Sequence, residues 1–170
     1  FAINGNKCFS FGNDVNINST HGEMSEEQFN WFKQEIAKVE KDETVYVFMH
    51  QGIYNTVSGT LPGEGWHGFR NHGDEIREIL KEYPNAFVFS GHNHQSLYCQ
   101  RPALLGNGEE ANFFNTGSCA YTLDDARENS FGSNAYFLEV YEDYTLVRGR
   151  ENVDGKWIPN ASYLVPRYYW

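Results

Sequence analysis

A chain of 170 residues has room for one domain with a real core, and is too short to argue for two. With 40% hydrophobic and 21% charged residues it has the composition of an ordinary globular domain. Its 23 acidic against 13 basic residues, a formal net charge of −10 with no Lys/Arg run, set aside large nucleic acids as partners; no apolar stretch approaches the ~20 residues of a membrane span.

In chain order, the opening Phe1-Ala2-Ile3-Asn4 has no initiator Met or signal peptide and reads as part of something longer, a fragment or a processed product. Loose alternation over residues 1–18 with an Asn4-Gly5 turn predicts one or two strands, with a hairpin at that turn. Ser25-Glu26-Glu27-Gln28 has the form of a capping box, and Phe29, Phe32, Ile36 and Val39 share one helical face, which predicts a helix over about 25–40. Val45–Met49 is an uninterrupted apolar run, the pattern of a strand covered on both faces. Residues 51–73 are Gly-rich and aperiodic, the mark of a functional or disordered loop. A second helix is expected over 74–83, stopped by Pro84, and a second buried strand over 86–89. Further strands are expected over 96–100, 111–115, 135–141 and 145–150, followed by a tail too aromatic to be disordered. The sum is one α+β domain, with mixed sheet and flanking helices.

Cys8, Cys99 and Cys119 are too few and too scattered for a disulfide framework. They read as three structural thiols, or as one disulfide with one thiol left over.

Both apolar strands end in histidine: Phe48-Met49-His50, and Phe89-Ser90-Gly91-His92-Asn93-His94. In open sheets, ligand-binding groups gather where strands end. If the strands are neighbours, three imidazoles converge at one edge, and imidazole is a good ligand for zinc, iron or manganese. His92 and His94, two apart, reach adjacent points if the chain is extended. His21, His67 and His72 lie in polar or Gly-rich stretches and read as surface residues, although His67 beside Trp66, and Tyr54, could face a substrate from the long loop.

The succession strand–His50, helix, strand–Gly91-His92-Asn93-His94, then Asn115-Thr116-Gly117-Ser118 resembles the last three motifs of the calcineurin-like binuclear metallophosphoesterases. The capped helix with Trp31 and the late Leu146-Val147-Arg148-Gly149-Arg150 are similar to that family as well, so the likeness covers residues 1–150. It implies half of a four-layer α/β/β/α sandwich, metal-dependent hydrolysis of a small phosphoester, and two metal ions (Mn, Fe or Zn) in the parent enzyme. His50 and His92 would hold one metal and His94 the other, while Asn115–Ser118 matches a turn that looks structural. Many relatives carry a Pro two residues after the first histidine, where this chain has Gly52, a difference of loop shape.

The family's earlier motifs, D-x-H, G-D-x-x-D and G-N-H-(D/E), are absent, and with them the bridging carboxylate and the transition-state histidine. Two metals ~3.5–4 Å apart need such carboxylates. Asp124-Asp125 is a possible substitute, although a solvated loop pair is the simpler reading. The chain alone is therefore expected to be inactive, with its own N-terminal half or a second copy as partner, since one face of Val45–Met49 lacks a visible cover. The alternatives are a non-catalytic half-domain and a mononuclear metal module. Relatives with a Trp- and Gly-rich loop after the first histidine look like bacterial secreted or cell-envelope enzymes.

Overall fold

The structure, a computed structural model, describes residues 1–16, 20–64 and 68–169. It is an α+β fold with a mixed sheet and two helices. Strands β1 (Ala2–Ile3) and β2 (Asn6–Phe11) form the expected hairpin, its Asn4-Gly5 turn at φ +49° and +84°. Positive φ at both turn residues is what a tight two-residue hairpin requires.

Helix α1 (Glu26–Ile36) starts at Ser25, whose hydroxyl accepts from the Gln28 amide. The capping box is only half made. Gln28 turns its side-chain oxygen to the amide of Gly12 at 2.8 Å, and the Ser25 amide donates to Asp14 instead. The helix closes four residues earlier than its apolar face suggests, because Lys38 and Val39 donate to carbonyls three residues back; Val39 is buried all the same.

β3 (Val45–Met49), α2 (Gly73–Leu80), β4 (Ala86–Ser90), β5 (Ala103–Leu104) and β6 (Asn112–Asn115) complete a six-stranded sheet ordered β1-β2-β3-β4-β6-β5. β2, β3, β4 and β6 are parallel, and the short edges are antiparallel. β7 (Asn134–Val140), β8 (Tyr144–Glu151) and β9 (Lys156–Pro166) make a separate antiparallel sheet.

Alternate residues of β3 face opposite layers. Val45, Val47 and Met49 pack with Phe29, Phe32, Ile36, Ile76 and Leu80 of the helices. Tyr46 and Phe48 pack towards Val147, Val165, Tyr136, Leu138 and Tyr163 of the second sheet. This corrects the expected missing cover of Val45–Met49: the chain brings its own. The cover is completed by β9, through Tyr163 and Val165. Only Phe48 stays half-buried. The accessible surface of 8677 Å² is close to the ~8,600 Å² expected for a folded monomer of 19.6 kDa.

The strand expected over 96–100 does not form. The Ser96 hydroxyl and the Leu97 amide are taken by the Asn134 side chain, Cys99 donates back to the Ser96 carbonyl, and Asp125 accepts from the Gln100 amide. All three cysteines are free thiols, with Cys8 and Cys99 buried and Cys119 exposed.

Candidate metal-binding edge

Parallel register aligns Phe11, Met49, Ser90 and Asn115 across four strands, so the residues that follow them emerge at one edge. His50 and Gly91-His92 therefore leave the sheet side by side. The His50 carbonyl accepts from the amides of both Gly91 and His92, which fixes the chain as it turns. The two imidazoles meet: His92 Nδ1 lies 3.1 Å from His50 Nε2. Burial, and then His50 and His94 nearby, hold His92 below the ordinary histidine range, so it favours the neutral, ligating form.

His94 takes a left-handed conformation, φ +55°, which breaks the extended geometry assumed for the pair. Its ring rests against Tyr121 with centroids 4.4 Å apart, and its Nδ1 is buried without a hydrogen-bond partner among the described residues. His94 and His50 nevertheless line one cavity of about 500 Å³, with Phe48, Phe89, Tyr136 and Leu138 as its apolar wall and Thr116, Ser118 and Cys119 at its side.

Among its described residues, much of the loop after His50 is buried, which its composition does not suggest. Gln51 to Ile53 and Thr56 to Thr60 are buried, tied by Thr56 Oγ1 to the Ile53 carbonyl and by the Glu64 carboxylate accepting from Gly59 and Leu61. Asn93, 5% exposed, links this loop to the histidine segment by donating to the Ser58 carbonyl at 2.6 Å. Gly91 and Thr116 pack closely, and Thr116 Oγ1 donates to the Ser90 carbonyl.

Other candidates lie elsewhere. Tyr54 lines a different cavity, with Phe69, Arg70 and His72. His72 is not a plain surface residue: its ring stacks on Phe29 at 4.1 Å and lies 3.0 and 3.2 Å from the Glu26 and Glu75 carboxylates. His21 lies within electrostatic reach of His92. His67 and Trp66 fall outside the described residues. Asp124 and Asp125 border a third cavity with Cys99 and Glu151, and their oxygens accept from backbone amides there. They do not join the histidines.

Two nitrogens on one tetrahedral zinc stand about 3.3 Å apart, given Zn–N of ~2.0–2.1 Å. The separation of 3.1 Å between His50 Nε2 and His92 Nδ1 is that of an imidazole–imidazole hydrogen bond and is also near that spacing, so these two fit the imidazole side of a metal centre. Among the described residues, no three His, Cys, Asp or Glu side chains, the three histidines included, are grouped to hold an ion. Tyr121 was not singled out by sequence, and no motif marks it. No family model and no curated protein matches the chain.

Proposed function

We propose that this chain supplies the histidine side of a metal-dependent phosphoester-hydrolysing site, with carboxylates contributed by another segment. The observation that carries the reading is the 3.1 Å approach of His50 to His92 at the ends of adjacent parallel strands. His50 and His92 would hold one ion of the manganese, iron or zinc class, and His94 would face a second. When bound, such an ion supplies Lewis acidity and an activated water. The resemblance implies a phosphoester substrate, and a net charge of −10, which repels polyanions, favours a small one. The resemblance also favours a bacterial secreted or envelope setting.

The partner in this reading is the N-terminal half of the same protein, with a second copy as the other choice. Two observations favour a partner. β7 is an edge strand hydrogen-bonded on one side only, and apolar cavities lined by Phe48, Leu138 and Val140 run beside it. The same observations favour the second reading, a non-catalytic half-domain that binds such a partner without metal.

The test is an assay of the purified chain with an aryl phosphate and manganese or zinc. The expected rate matches the no-protein control, because the family's carboxylate motifs are absent. Turnover abolished by His92→Ala would show that the chain is self-sufficient and overturn the divided site. An upstream D-x-H and G-N-H-(D/E) in the same reading frame would favour the enzyme over the half-domain.

A further inference from the structure

We infer that Tyr121 is a positioning residue that sets the ring of His94, an inference that rests on His94 facing a metal. A metal-bound histidine is ordinarily held in orientation by a hydrogen bond on its other ring nitrogen. His94 has no such bond at its buried Nδ1 among the described residues, and its backbone is left-handed, at φ +55°. What the ring does meet is the ring of Tyr121, with centroids 4.4 Å apart and a tilt of 42°.

The segment that presents Tyr121 is fixed independently of the ring contact. Leu123 donates to the His94 carbonyl at 2.9 Å and accepts from the Ser96 amide at 2.8 Å, so the two stretches run as a short ladder. Thr122 is fully buried, its hydroxyl bonded to Ser130 and accepting from the Gly132 amide. Tyr121 itself is 48% exposed, so its ring is not part of the core. A half-exposed aromatic on a fixed stem, packed against an imidazole whose Nδ1 has no hydrogen-bond partner among the described residues, is placed to hold that imidazole.

The test uses the whole chain with cobalt(II) as probe and nitrogen-15 spectra of the histidine rings. Tyr121→Phe is expected to keep cobalt affinity within about twofold, and Tyr121→Ala to weaken the His94-dependent part roughly tenfold. In Tyr121→Ala without metal, the His94 ring signals should shift or broaden while those of His50 and His92 hold. Unchanged His94 signals in Tyr121→Ala would overturn the inference, as would Tyr121→Phe behaving like Tyr121→Ala, since the hydroxyl would then be the working group. Tyr121→Leu, which keeps bulk without the aromatic face, should behave like Tyr121→Ala and guards against a folding artefact. If cobalt binding is untouched by His50→Ala, His92→Ala and His94→Ala, the metal reading fails; the ring spectra still decide the role of Tyr121.

Discussion

Asn93 lies directly against Gly59: its Nδ2 donates to the Ser58 carbonyl, and a Cβ at Gly59 would come within 2.4 Å of that same nitrogen. The contact joins the loop leaving His50 to the segment carrying His92 and His94. Gly59 also sits at φ +91°, where a side chain is strained. Gly59→Ala should therefore cost roughly 1–3 kcal/mol, from strain and the displaced Asn93 together. Asn93→Ala should cost about 1–3 kcal/mol by leaving the Ser58 carbonyl unpaired. Urea melts of both variants check this. A neutral Gly59→Ala would mean the loop is not held by Asn93.

Phe114, fully buried, joins the two sheets by its ring contacts with Phe89, Tyr136 and Tyr163. Truncation to Ala should cost about 3–5 kcal/mol. Phe137, on the outer face of the second sheet and 48% exposed, should cost less than about 1 kcal/mol when truncated. Equal losses at the two positions would show that the sheets do not pack as described.

How far the sequence carried these conclusions depends on the kind of signal. Long apolar runs marked β3 and β4, and a capping serine marked α1, because each is a local pattern. β9 escaped notice since its buried residues, Ile158, Ala161 and Val165, do not alternate with exposed ones at a period of two, across a bulge facing Arg148 to Arg150. The buried loop after His50 escaped notice because threonines and serines can be buried once their hydroxyls are satisfied. His50 and His92 were legible as a pair through parallel strand ends. The departure of His94 towards Tyr121 was not, because a left-handed residue leaves no periodic trace.

The three thiols should differ sharply in reactivity. Burial, with the Asp125 carboxylate nearby, pushes the Cys99 thiol up to about 12, and burial also raises Cys8. The thiolate is the reactive form, so neither should react at mildly alkaline pH in the native chain. Cys119 is exposed and should react at once. A disulfide-exchange reagent counts them: one fast equivalent is expected, and two more only as the chain unfolds. Two fast equivalents would contradict the burial of Cys8 or Cys99.

Asp14 gives a pH-dependent anchor for α1. Burial pushes its carboxyl up, but hydrogen bonds from the Ser25 hydroxyl and amide and from Gln28 outweigh it and hold the group below its ordinary value. The unfolded chain then binds its proton first. The stabilisation is present above about pH 4 and lost as pH falls through the lowered value. Asp14 is exposed, so solvent keeps the effect small: Asp14→Ala should cost about 0.5–1 kcal/mol at neutral pH. Melts at pH 7 and pH 3 check this, with the difference from the parent expected to shrink at pH 3. A difference that grows in acid would reverse the assignment.

The pairing of His50 with His92 is tested most directly by calorimetric titration of the chain with zinc or manganese at neutral pH, beside His50→Ala, His92→Ala and the double variant. Binding by the parent should weaken at least roughly tenfold in each single variant, with little further loss in the double, because both nitrogens serve one ion. A double variant that binds metal as the parent does would contradict the account.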